Sequence, residues 1–223
     1  MSDSKDKAHE SNLPPAVPKA VVNRLSLYLR ELQHLVRNGS ETTNSTQLGK
    51  LLGFTDAQVR KDLAYFGQFG YPGIGYRCEQ LIAEIRKILG TNRPWPVALI
   101  GVGNLGRALL GYRGFFTQGF RVVAAFDIHP DVIGQSIEGI MVYNLADLEK
   151  LVKDKGIRLA VLAVPAPAAQ EVADRLVAAG IDGIMNFAPV TIAPSKQVSI
   201  QGVDLAIELE QLAYEVANKA ERE

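Results

Sequence analysis

Residues 97–110 read VALIGVGNLGRALL, and the reading of this stretch decides the fold. Four apolar residues, Val97 to Ile100, run straight into Gly101, Gly103 and Gly106, and the helix-forming LGRALL follows at once. A strand that ends in G-x-G-x-x-G and opens a helix is the fingerprint of a dinucleotide-binding βαβ unit. The first glycine permits a tight turn, the second lets backbone approach a pyrophosphate, and the third lets helix and strand pack closely. N–H groups at the helix start, with their partial positive charge, then face the phosphates. Asp127 ends the next apolar run, RVVAAFD, at about the twenty-residue distance this fingerprint asks for. A carboxylate there accepts both hydroxyls of an adenosine ribose and repels a 2′-phosphate, so NAD(H) is favoured over NADP(H). The candidate cofactor-binding residues are Gly101, Val102, Gly103, Asn104, Leu105, Gly106 and Asp127, with Val164 and Pro165 at a later strand end.

Strand and helix patterns continue to alternate toward the C-terminus. A helix around LADLEKLVKD precedes the apolar run RLAVLAVP, and AAQEVADRLVAAG precedes GIMNFAPV. This alternation implies a parallel sheet with right-handed crossovers, a Rossmann-type α/β domain. The last segment places Leu205, Leu209, Leu212 and Val216 on one helix face with no later element to cover it.

Toward the N-terminus the pattern changes to helices. Val21, Leu25, Tyr28, Leu32 and Leu35 recur at helical spacing, and Gly39 is the stop. A polar run, SETTNST, leads into a short helix with Leu48, Leu51 and Leu52, broken at Gly53. Thr55 with Gln58 three positions on is a capping-box signature. Val59, Leu63 and Phe66 then share one face of a third helix, so the order is that of a helix-turn-helix. The opposite face carries Ala57, Lys61, Ala64 and Tyr65, flanked by Gln58 and Arg60. Small residues let a helix sink into a groove, and Gln, Lys and Arg reach base edges or phosphates. A solvated helix face is the competing reading, and Asp62 fits DNA only if it pairs internally. The string GQFGYPGIGY that follows suits a small hairpin, the wing of a winged-helix domain, lying on the DNA backbone or minor groove. The expected DNA contacts are Ser45, Thr46, Thr55, Gln58, Arg60, Lys61, Tyr65, Tyr71 and Gly73.

Composition narrows the classes. The chain has 223 residues, 47% of them apolar and 22% charged, which suits folded domains rather than wholesale disorder. The formal charge of zero hides an asymmetry: residues 1–77 hold 10 Lys and Arg against 7 Asp and Glu, and the remainder 14 against 17. The basic surplus lies with the helix-turn-helix pattern, where a polyanion is expected. A single cysteine, Cys78, excludes an intramolecular disulfide framework and any Cys-rich zinc site, so no metal is expected. No apolar run of 18 residues and no apolar signal segment occurs, and a cytoplasmic location is the simple expectation. Hydride-transfer chemistry needs an acid or base near a nicotinamide. His9 lies in the polar start, His34 in the first helix and His129 at the adenosine end of the site, so no catalytic residue is expected. Dinucleotide binding without such equipment points to a sensor rather than an enzyme.

The stretches NRLSLYLREL, TDAQVRKDLAYFGQFGYPGIGY, LIGVGNLGRALL with FDIHP, NFAPV and GVDLAIEL, in that order from about residue 20 to about 212, resemble the Rex redox-sensing transcriptional repressors of bacteria. The resemblance implies a homodimer with N-terminal winged helices, Rossmann domains and exchanged C-terminal helices. It further implies binding of palindromic operator DNA in the apo or NAD+ form and release when NADH binds. By position it makes Arg30, Tyr112 and Asp204 the redox switch, the Asp trading a Tyr partner for the Arg, and sets Tyr112 among the cofactor contacts. Taken alone, Arg30 reads as a helix-surface charge, Tyr112 as half-core and Asp204 as the N-cap of the last helix. Leu205 stands where some members carry an aromatic. Two other readings stay open at this point: a small NAD-dependent oxidoreductase, and a regulatory module that binds CoA or another nucleotide. The expected division is an arm over 1–18, a winged-helix domain over 19–80, a Rossmann domain over 81–201 and a dimerisation helix over 202–223.

Overall fold

The computed structural model describes residues 17–71, 73–193 and 198–220, with the chain parting into two compact units, Met1–Asn92 and Arg93–Glu223. The expected arm falls almost wholly outside the described residues.

In the first unit, α1 (Lys19–Arg37) buries Val21, Leu25, Tyr28, Leu32 and Leu35, the five residues at helical spacing, and Leu29 with them. Strand β1 (Thr42–Thr43) leads to α2 (Ser45–Leu52), capped by the Asn44 side chain, and α3 (Asp56–Ala64) follows. The chain returns through β2 (Tyr76–Arg77), antiparallel to β1, into α4 (Cys78–Ile88). Leu25, Tyr28, Leu32, Leu48, Val59, Leu63, Cys78, Leu81 and Ile85 form one core. Helix α4 therefore belongs to the first unit. The expected boundary at 80/81 is corrected to 92/93, because Leu81 and Ile85 are the residues that close this core against α1. Cys78 is fully buried, and burial pushes its thiol up, away from the reactive thiolate.

The second unit is a seven-stranded sheet. Its elements are β3 (Trp95–Ile100), α5 (Asn104–Leu110), α6 (Gly114–Thr117), β4 (Phe120–Asp127), β5 (Ser136–Ile137), β6 (Ile140–Asn144), α7 (Leu148–Asp154), β7 (Leu159–Leu162), α8 (Ala166–Ala178), β8 (Gly183–Asn186), β9 (Ser199–Gly202) and α9 (Leu205–Ala220). The strand order is β5-β6-β4-β3-β7-β8-β9, parallel throughout except for β5. Alternate strand residues feed two cores. Ala98, Ile100, Phe126 and Leu162 meet Leu148, Val152, Val172 and Leu176 of α7 and α8, and Val97, Leu99, Ala125 and Val161 point to the other face. Strands β5, β6 and β9 are additions to the sequence expectation. On α9, Leu205, Ile207, Leu209, Leu212, Tyr214 and Val216 are all exposed within the chain.

Candidate functional site

The dinucleotide fingerprint sits where its physics requires. The chain leaves β3, turns at Gly101 with φ +91°, and enters α5, while β7 lies on the far side of β3 from β4. This is the point where strand order reverses, and ligands of open α/β sheets bind outside the carboxyl ends of strands there. A cavity of about 710 Å³ occupies it, bordered by Gly101–Leu105 after β3, Asp127–His129 after β4, and Ala163–Pro165 after β7. The three glycines differ in what surrounds them. A Cβ on Gly101 would stand 2.5 Å from the Ala163 carbonyl oxygen, and one on Gly106 would overlap the Gly101 carbonyl and crowd Leu99. Gly103 has an ordinary φ of −73° and nothing within 4 Å of the place a Cβ would take. The chain itself leaves the space beside the Gly103 backbone open.

Asp127 faces this loop. Its Oδ2 accepts from the Val102 N–H at 2.7 Å, and its Oδ1 accepts from the N–H groups of Ile128 at 2.7 Å and His129 at 2.9 Å. The carboxylate thus fixes the glycine loop and still has oxygen lone pairs to offer a ribose. Val102, Asn104, Leu105, Val164 and Pro165 also line the cavity, and Gly106 lies buried beneath it. Sequence reasoning missed Arg107, one turn into α5, and the wall formed by Phe187 and Pro189. The NFAPV string carried the signal for that wall without its direction. Tyr112 is elsewhere: it is 58% exposed, packs edge-on against Phe115 with ring centroids 5.1 Å apart, and borders another hollow with Phe116 and Arg121. Asp204 caps α9, accepting from the Ala206 N–H at 2.9 Å and the Ile207 N–H at 3.4 Å, and lines a third cavity with Asn186 and Val190. Tyr112 and Asp204 thus border different cavities of the second unit, and Arg30 stands exposed on α1 of the first.

In the first unit the exposed face of α3 carries Ala57, Arg60, Lys61, Ala64 and Tyr65, as expected. The Thr55 hydroxyl accepts from the Gln58 N–H at 3.1 Å, which caps the helix. The half-buried Gln58 side chain donates from its Nε2 to Asp62 Oδ1 at 2.7 Å, which braces it against the domain. Asp62 is fully buried and also accepts from Arg24 at 2.5 and 2.8 Å and from the Tyr28 hydroxyl at 2.8 Å. Burial alone would raise this carboxyl. The hydrogen bonds from Arg24, Tyr28 and Gln58 and the charge of Arg24 outweigh it, and it is held below the usual carboxylate range. The Tyr28 hydroxyl is pushed well up, by burial first and by Asp62 second. This hub pins α3 to α1 and pairs Asp62 inside the unit.

Ser45 is drawn into the unit as well. It is buried, and its Oγ accepts from Arg60 Nη1 at 3.2 Å while Asp56 accepts from the same nitrogen at 2.7 Å. Thr46, Thr55, Lys61, Tyr65 and Tyr71 remain exposed. The expected wing reduces to a tight turn in which Tyr71 and Gly75 exchange two backbone hydrogen bonds, of 2.8 and 3.0 Å, with Tyr71 and Ile74 exposed at its tip. Gly73, at φ +77°, gives that turn its bend.

Two family models match the chain: "CoA binding domain" over residues 92–190 and "Putative DNA-binding protein N-terminus" over residues 16–64. The redox-sensing transcriptional repressor Rex of Roseiflexus sp. (strain RS-1) is 43% identical over 200 residues, spanning 90% of this chain and 91% of that protein. Rex of Streptomyces coelicolor is 44% identical over 207 residues, spanning 93% of this chain and 80% of its own length. The chain belongs to the Rex family. The Roseiflexus and Streptomyces members are named as redox-sensing transcriptional repressors, not as enzymes. Among solved structures, RSP, a Rex-family repressor, matches with a TM-score of 0.82 at 34% identity, covering 92% of this chain and 96% of RSP. RSP in complex with β-NAD+ and operator DNA matches with a TM-score of 0.86 at 35% identity, covering 92% and 94%. RSP in complex with β-NADH matches with a TM-score of 0.82 at 34% identity. The winged-helix and Rossmann assignments are those of this Rex-family architecture. Among the described residues of this Rex-family chain, no helix is long and apolar enough to cross a membrane, and no group of three or more His, Cys, Asp or Glu could hold a metal.

Proposed function

We propose that this Rex-family chain works as a cytoplasmic homodimer that holds palindromic operator DNA when apo or bound to NAD+ and releases it when NADH fills the cavity. The observation that carries the reading is the likeness to RSP with β-NAD+ and operator DNA, which extends over both units of the chain. The cavity fits the ligand. Gly103 leaves open the approach a pyrophosphate needs, and Asp127 presents a fixed carboxylate to a ribose. On the DNA side, α3 would enter the major groove with Lys61, Arg60 and Tyr65 outward and the 71–75 turn beside it, while Thr46 and Thr55 would meet the backbone. Exchange of α9 between subunits would cover its exposed leucines. An apolar hollow of about 260 Å³ remains on the sheet among Val97, Val122, Val161 and Met185 to receive such a surface. Arg30, Tyr112 and Asp204 act as the switch in this reading.

The signal is one charge, since the nicotinamide ring is positive in NAD+ and neutral in NADH, and charge counts for more in a low-dielectric pocket. NADH shifts the population only by its differential affinity for the two dimer states, and near-complete release takes about 10²- to 10⁴-fold. Fluorescence anisotropy of a labelled palindromic operator, titrated with NADH and then NAD+, tests the reading. Operator affinity that is indifferent to NADH refutes it. Binding of CoA in preference to NADH would instead support the ligand named in the description of the family model for residues 92–190.

A further inference from the structure

The NFAPV string forms the loop after β8, and this loop is a wall shared by two cavities. Phe187 and Pro189 line the dinucleotide cavity, whereas Asn186, Ala188 and Val190 line the one that holds Asp204, and Pro189 borders both. The segment bends after β8, the Val190 N–H donating to the Ala188 carbonyl at 2.7 Å. Asn186 fixes the wall. Its side chain is buried, its Oδ1 accepts from the Ala188 N–H at 2.9 Å, and its Nδ2 donates to the carbonyls of Ala188 at 3.2 Å and Val190 at 2.9 Å. The main chain of the same residue reaches the last helix: the Asn186 carbonyl accepts from the Val203 N–H at 2.8 Å, next to Asp204, the cap of α9. The following Phe187 N–H donates to the Leu162 carbonyl at 2.8 Å, which roots the wall in β7.

We infer that Asn186 is the positioning residue through which occupancy of the dinucleotide cavity is transmitted to Val203, Asp204 and the first turn of α9. The inference rests on the reading that the cavity takes NADH. A ligand pressing on Phe187 and Pro189 pulls on Ala188 and Val190 beside them, and so on the buried amide that holds those two, because a buried amide keeps its partners. Moving that amide displaces the carbonyl on which Val203 hangs. A chain of packed and hydrogen-bonded groups of this kind carries coupling only if its two ends respond to the same ligand.

The test is a thermodynamic cycle on the full chain, comparing wild type with Asn186→Ser. Operator affinity is measured by anisotropy without and with saturating NADH, and NADH affinity by fluorescence on DNA-free protein. The expected result is a coupling ratio at least tenfold smaller in the variant, with NADH affinity and ligand-free operator affinity each within about threefold of wild type. A merely structural Asn186 would lower the thermal midpoint and leave the ratio intact, and a ratio within threefold of wild type overturns the inference. Should the variant not fold, amide hydrogen exchange on the wild type decides. NADH should change protection at Val203, Ala206 and Ile207 along with Phe187 and Ala188, and change confined to Phe187 and Ala188 overturns it. Wild-type operator affinity that ignores NADH would instead sink the redox reading itself, a distinguishable outcome.

Discussion

Replacement of Asp62 by alanine probes the joint between α1 and α3 most directly. The buried carboxylate accepts four hydrogen bonds, two from Arg24 and one each from Tyr28 and Gln58. Its removal leaves the Tyr28 hydroxyl in the core without its acceptor and a largely covered guanidinium without its counter-charge, the side chain of Arg24 being 21% exposed. Removing one member of a buried pair costs about 3–5 kcal/mol. That is a large share of the roughly 5–15 kcal/mol that holds a domain together. At about 4–8 °C per kcal/mol for a unit of this size, the melting midpoint of the first unit should fall by at least about 12 °C. Asp62→Asn keeps size and one acceptor and should lose about half as much. Circular dichroism melts of the full chain follow the helices, while the single tryptophan, Trp95 in β3, reports the second unit and should be unmoved. The pH dependence has a definite sign. A carboxyl whose folded value lies below its unfolded value contributes fully above about pH 4, the ordinary carboxylate range, and loses that contribution as pH falls toward the depressed value. Wild type should therefore soften in acid, and Asp62→Asn should show a flatter acid limb. A loss below about 1 kcal/mol, or equal acid limbs in both proteins, would refute the view that this hub holds the recognition helix.

Gly103→Ala should leave stability within about 0.5 kcal/mol, since its Cβ meets nothing, yet weaken NADH about 10- to 100-fold, as an inserted methyl in a filled site costs about 1–3 kcal/mol. Isothermal titration and melts on the same sample check both halves. Asp127→Ala should weaken NADH by about 1.5–3 kcal/mol and narrow the preference over NADPH, measured by competition; an unchanged response removes it from the site. Lys61→Ala should weaken operator binding and reduce the slope of log affinity against log salt by about 0.9, with NADH affinity untouched.

What the sequence made legible were features with short-range causes. Strand β3, the three glycines and Asp127 lie within one βα unit and its next strand, and α1 announced itself through five apolar residues at helical spacing. The β5–β6 hairpin stayed hidden because its two-residue turn is Glu138–Gly139, with both residues at positive φ, and glutamate there gives no turn signal. The role of Asp62 depends on Arg24 and Tyr28, 38 and 34 positions away, so spacing within α3 could not assign it. TNRPWP after α4 punctuates the chain where the two units part, whereas a division at 80/81 cuts α4 itself. The burial of Leu81 and Ile85 decides between the two divisions. Tyr112 entered by resemblance alone, and the second unit places it outside the glycine-loop cavity.

Cys78 opens α4 from the floor of the first core, with no surface of its own, and it is the chain's one thiol. A thiol reagent can reach it only when that core breathes, so the labelling rate of the unmodified protein times the opening of the DNA-binding unit. The same flask, with operator or dinucleotide added, reports which ligand keeps the unit shut.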